Sequence, residues 1–110
     1  MAEVEQMITV AQSPTFQKLA KDFFPKEKDL DELITFLALN PDAGDVEPKR
    51  EGLRKLRWPA KAKGAGKRGG YRVYFEFVSE LQEVWLHTVI AKNEQEDLTV
   101  KQKKHLRKSE

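Results

Sequence analysis

The chain has 110 residues, no cysteine and two histidines, His87 and His105. That composition excludes a disulfide framework, a thiolate metal site and a thiol nucleophile, and two imidazoles so far apart make no zinc-finger pattern. Lys and Arg number 20 against 18 Asp and Glu, a formal net charge of +2, and no apolar run approaches the ~20 residues of a membrane span. The length suits one domain over residues 1–110, large enough to bury a core without covalent staples.

Met1 to Gln6 has neither a basic nor an apolar segment of the secretory kind, so the cytoplasm is the expected compartment. Residues 7–11, Met-Ile-Thr-Val-Ala, read as a first strand. Ser13-Pro14 supplies an N-cap and a proline at the first helical position. Phe16, Leu19, Ala20 and Phe23 then form one helical stripe that Pro25 ends. Leu30, Leu33, Ile34 and Leu37 make a second stripe, closed by Asn40-Pro41. The short link between the two predicts a helix hairpin.

Residues 42–51 read as a loop, and 52–58, ending at Pro59, as a strand. Ala60 to Gly70 holds four glycines, three lysines and an arginine, too little apolar content to pack, and reads as a basic loop. Tyr71 to Val78 alternates, with Val73, Phe75 and Phe77 on one face and Arg72, Tyr74 and Glu76 on the other. After a turn at Ser79-Glu80, residues 84–91 form the next strand. Short connections make 52–58, 71–78 and 84–91 an antiparallel meander. Thr99 to Gln102 matches a capping box and opens a last, loosely held helix. The fold class is α+β: an N-terminal helix hairpin on one face of an antiparallel sheet, with a C-terminal helix.

Charge is segregated along the chain. Residues 49–72 carry ten basic side chains and one acidic, whereas residues 1–48 carry four basic and ten acidic. A polyanion is the natural partner of such a block. If Leu56 points to the helices, Lys55 and Arg57 point to the opposite, uncovered face together with Arg72 and Tyr74. Arg54 shares the parity of Leu56 and is expected to snorkel at a strand edge. Lys49, Arg50, Arg54, Lys61, Lys63, Lys67 and Arg68 are candidate RNA-backbone contacts. Trp58, Tyr71 and Tyr74 are candidate stacking platforms, while His87 reads as a hydrogen-bonded structural residue and His105 as exposed. Glu94, Glu96 and Asp97 read as negative charge near the last helix's N-terminus. Glu51 is the only carboxylate within the basic block, so no metal or other cofactor is expected. Any RNA cleavage should use the ribose 2′-hydroxyl as nucleophile, with a base beside it, cations around the phosphate and an acid at the leaving oxygen.

Three segments in order carry a resemblance: Gly52-Leu53-Arg54-Lys55-Leu56-Arg57, then Gly66-Lys67-Arg68-Gly69-Gly70-Tyr71-Arg72-Val73-Tyr74, then Lys92-Asn93-Glu94-Gln95-Glu96-Asp97-Leu98-Thr99. With these the sequence resembles the RelE superfamily of bacterial toxins, in its HigB-like branch, and the order of elements fits that RelE-like fold. The resemblance implies a toxin of a type II toxin–antitoxin pair that cleaves mRNA in the ribosomal A site. It also implies a HigA-like, helix-turn-helix antitoxin as partner, the 70S ribosome and mRNA as targets, operator DNA only through the antitoxin, and no membrane. By position in the motifs, Lys55, Arg57, Arg72, Tyr74, Lys92 and Glu94 are the implied catalytic set. Many relatives carry tyrosine two residues before that lysine, where this chain has Ile90, leaving Tyr74 or a lysine as candidate base. The alternatives are a ParE-like toxin that inhibits DNA gyrase without nuclease activity, and a non-catalytic RNA-binding domain.

Overall fold

The computed structural model describes residues 8–48, 50–59 and 70–106. The elements run β1 (Thr9–Gln12), α1 (Pro14–Phe23), α2 (Glu27–Leu39), β2 (Asp45–Val46), β3 (Leu53–Trp58), β4 (Tyr71–Val78), β5 (Glu83–Ala91) and α3 (Val100–His105). The five strands form one sheet in the order β1-β5-β4-β3-β2. The expected meander is its centre, with β3, β4 and β5 antiparallel, while β1 runs parallel to β5 at one edge.

Local chemistry explains the two long helices. Ser13 caps α1 by accepting from the Phe16 N–H at 3.0 Å, and its hydroxyl donates to the His87 carbonyl at 2.8 Å. One side chain therefore starts the helix and pins it to β5. Asn40 ends α2, its Nδ2 donating to the Phe36 carbonyl at 3.0 Å. The apolar stripes of both helices cover one sheet face, where Phe16, Leu33, Leu37, Val73, Phe75, Val84 and Leu86 are fully buried. Each such side chain contributes about 1.5–3 kcal/mol on leaving water. Tyr71 joins this core, its ring edge-on to Phe23 and Phe24 and its hydroxyl donating to the Phe23 carbonyl at 3.0 Å. Trp58 lies on the same side, half-buried and tilted on Phe36. These two aromatics pack the helix side and do not offer stacking platforms on the opposite face.

Two differences from the sequence reading matter for function. Part of the expected loop 42–51 is strand β2, which pairs with Arg54 and Lys55. Gly44 makes this possible: its φ is +79°, and a Cβ there would lie 2.5 Å from the Lys55 carbonyl oxygen. The second difference is larger. The sheet face opposite the helices is not bare, because residues 97–106 cross it as a strap. Leu98 packs there with Leu53 and Tyr74, flanked by Ile90 and Leu106, forming a second small core. The last helix is accordingly held in place, with Lys103 buried beneath it.

A β-bulge between β4 and β5 sets the character of this second face. Tyr74 pairs with Thr88 and Phe75 with Leu86, leaving His87 as the extra residue. His87 is buried, and its Nε2 donates to Glu76 Oε1 at 2.7 Å. It is thus a hydrogen-bonded structural residue, as expected, and His105 is exposed. The basic loop, residues 60–69, lies outside the described residues. No helix of the described residues is long and apolar enough to cross a membrane.

Candidate functional site

The strap-side face carries three neighbouring sets of charge. The first is cationic. Arg57 on β3 and Arg72 on β4 are direct register partners, and strand alternation puts both side chains on this face. Arg72 is nine-tenths buried, and the contact its guanidinium makes is with the carbonyl of its own neighbour, Tyr71, at 3.2 Å. Among the described residues neither arginine has a carboxylate within ion-pair distance. Like charges set directly opposite on a sheet destabilise it, so the pair creates a standing demand for an anion. Gly70, with φ +67°, immediately precedes β4 beside it; a Cβ there would sit 3.3 Å from the Trp58 carbonyl and 3.6 Å from Arg72 Nη1. The turn after β5 closes on the same end of the sheet, the Lys92 N–H donating to the Gly70 carbonyl at 3.1 Å. Glu94 follows in this turn and is exposed.

One step along the strands lies the second set, built from Glu47, Lys55, Asp97 and Lys103. Lys103 Nζ is 2.7 Å from Glu47 Oε1 and 3.6 Å from Asp97 Oδ2. Lys55 Nζ is 3.6 Å from the same Asp97 oxygen and 4.0 Å from Glu47 Oε2. Two carboxylates and two ammonium groups thus balance. Tyr74, the register partner of Lys55, is fully buried, and its hydroxyl donates to Asp97 Oδ1 and receives the Leu98 N–H at 3.2 Å. Burial and the bond to Asp97 push the phenol far above its ordinary value. Burial alone would raise the Asp97 carboxyl, but the Tyr74 and Leu98 hydrogen bonds and the two ammonium groups outweigh it and hold it below the usual range. Lys103 is driven the other way: burial disfavours its charge, but Glu47 and Asp97 more than offset this and raise it.

In the third set, Glu76 Oε1 accepts from Arg50 Nη2 at 2.9 Å and from His87. Arg50 also holds the end of the strap, donating to the Leu106 carbonyl at 3.1 Å. Burial raises Glu76, but these two donors prevail and lower it.

These sets sort the expected residues. Arg57 and Arg72 are register partners, Lys55 lies one step along the strands, and the backbone of the turn that carries Lys92 and Glu94 closes on the same end of the sheet. Tyr74 is enclosed by the strap, so neither stacking nor proton abstraction is open to it in this arrangement. Arg50 is spent on Glu76 and Leu106, and Arg54 on the carbonyls of the 42–44 turn, the shortest bond being 2.8 Å to Asp42. Arg54 is therefore a loop clamp and not a free cation. Lys49, Lys61, Lys63, Lys67 and Arg68 lie outside the described residues. Asp97 lies two residues before the Thr99 N-cap of α3 and also pairs with Lys55 and Lys103. Sequence reasoning missed Glu47 and Lys103, whose short contact with each other joins distant parts of the chain and carries no local signal. Among the described residues, no group of three or more His, Cys, Asp or Glu side chains gathers as metal ligands.

No family model matches the sequence. A solved structure does: a double-mutant form of E. coli toxin RelE in the free state is similar over 89% of this chain and 94% of its own, with a TM-score of 0.61 and 13% identity. The chain therefore has a RelE-type fold. At that identity the likeness establishes the architecture.

Proposed function

We propose that this chain, as a single domain over residues 1–110, is the toxin of a type II toxin–antitoxin pair of the HigB-like branch, a ribosome-dependent mRNA endonuclease of the cytoplasm. The observation that carries this is the Arg57–Arg72 pair, since two facing guanidinium groups with no carboxylate partner among the described residues suit a phosphodiester. The RelE-type architecture and the three sequence segments agree with it.

In the proposed reaction the two arginines hold the scissile phosphate and stabilise the charge that builds up as it becomes five-coordinate. Glu94 is the one carboxylate among the six catalytic candidates and takes the proton of the ribose 2′-hydroxyl. The 2′-oxygen bonds to phosphorus, the bond to the 5′-oxygen breaks, and Lys92 donates a proton to that leaving oxygen. A 2′,3′-cyclic phosphate and a free 5′-hydroxyl result. Lys55 contributes positive charge along the backbone. Tyr74 organises the strap, and its closed hydrogen-bond shell removes it from proton transfer. A helix-turn-helix antitoxin, HigA-like, neutralises the toxin and carries it to operator DNA.

A short pulse of expression without antitoxin, followed by mapping of transcript 5′-ends, tests the proposal. Growth arrest with new ends inside translated reading frames is expected. Arrest with intact messages and inhibited gyrase supercoiling would assign the chain to the ParE-like class instead. RNA binding without arrest would leave a non-catalytic RNA-binding domain.

A further inference from the structure

The four-group cluster under the strap holds its two lysines unequally. Lys103 is buried and takes the short contact, 2.7 Å to Glu47. Lys55 is left with 3.6 and 4.0 Å, beyond hydrogen-bond length, and keeps about a fifth of its side chain in solvent. Glu47 is as buried as Lys103, so its charge needs a partner from within the protein. Without Lys103, that partner is Lys55, from the neighbouring strand, and the local balance shifts from neutral to one net negative charge. Lys55 would then be drawn onto two carboxylates and lost to any incoming phosphate.

We infer that Lys103 is a positioning residue: by occupying Glu47 it leaves the Lys55 ammonium available to a nucleic-acid phosphate. This rests on the proposal that the strap-side face binds RNA, and it names residues that the segments shared with the RelE superfamily do not supply. Lys103 touches no substrate. It acts from the strap through Glu47, just after β2, and Lys55 on β3, which only the fold brings together.

The test uses the full chain and a fluorescein-labelled single-stranded oligoribonucleotide at low salt, with binding read by anisotropy. Glu47→Gln keeps the shape and removes the competing charge, so RNA should bind at least about threefold more tightly. One unit charge some ~7 Å from a phosphate supplies that factor even in a water-like dielectric. Lys103→Met should bind about threefold more weakly, and the double substitution Glu47→Gln/Lys103→Met should return to wild-type affinity. A purely structural role for Glu47 predicts no gain in affinity from Glu47→Gln. Should Lys103→Met alone fail to fold, Glu47→Gln and the double variant still decide. A wild-type chain that cleaves translated message while its RNA affinity ignores Glu47→Gln overturns this inference alone. A wild-type chain with no affinity for RNA overturns the inference together with the proposed function. Tightening by Glu47→Gln in a chain that never cleaves supports the inference and removes only the nuclease.

Discussion

The clearest division between a structural and a catalytic tyrosine comes from Tyr74→Phe. The hydroxyl makes two contacts, one to the ionised Asp97 and one from the Leu98 N–H. A hydrogen bond to a charged group contributes about 1.5–3 kcal/mol and a neutral one about 0.5–1.5 kcal/mol. Part of this is recovered in the variant. Asp97 keeps the Leu98 N–H at 2.8 Å, and 42% of its side chain remains in water. A net loss of about 1–2 kcal/mol follows, lowering the melting temperature of a domain this size by roughly 4–10 °C. The ring stays buried, so the second core survives. Thermal unfolding by circular dichroism gives the stability change, and translation-coupled cleavage of a reporter message gives activity at a temperature where both proteins are folded. Cleavage within a few-fold of wild type is expected. An unchanged melting temperature combined with a hundredfold loss of cleavage would make the phenol a proton carrier and refute the structural assignment.

Other expectations follow from the same geometry. Arg72→Ala removes half of the guanidinium pair and should reduce cleavage by roughly 10²–10³ while the far-ultraviolet spectrum stays native; retained killing in cells would count against the site. Phe75→Asp puts a lone charge into the helix-side core, where Phe75 is fully buried, and should abolish cooperative unfolding; a normal urea transition would contradict that core. For pH, Glu76 and Asp97 are both lowered in the folded chain. The unfolded chain therefore takes up protons first, so stability present near neutrality is lost as pH falls below about 4–5. Lys103 is raised, and its contribution is present below about pH 10 and lost above it. Urea midpoints measured from pH 3 to 7 should fall on the acid side, less steeply in Glu76→Gln; equal slopes in the two proteins would sink the assignment of Glu76.

What the sequence disclosed was whatever repeats at short range. The alternation of Tyr71 to Val78 gave β4 and the faces of Arg72 and Phe75, and the stripe spacings gave α1 and α2 to within a few residues. Arg57 and Arg72 were placed on one face because parity propagates along a strand. The strap was illegible because Leu98 and Leu106 are isolated apolar residues in a charged segment, without a period to announce them. Arg50 reads in the sequence as an RNA-backbone contact because Glu76, its partner, lies 26 positions away on β4. Strand β2 escaped notice because two residues, Asp45 and Val46, cannot display an alternation. In each case the missing information was a pairing between distant segments, which only the closed fold reveals.

The sheet's outermost strands have a consequence for self-association. An open sheet offers unsatisfied amide groups at both margins, and long flat margins invite copies of a chain to zip together. Here β1 has four residues and β2 only two, while the longer β3, β4 and β5 are enclosed between them. A second molecule docking against β1 or β2 would gain only a few rungs of ladder, so these short borders resist fibre growth.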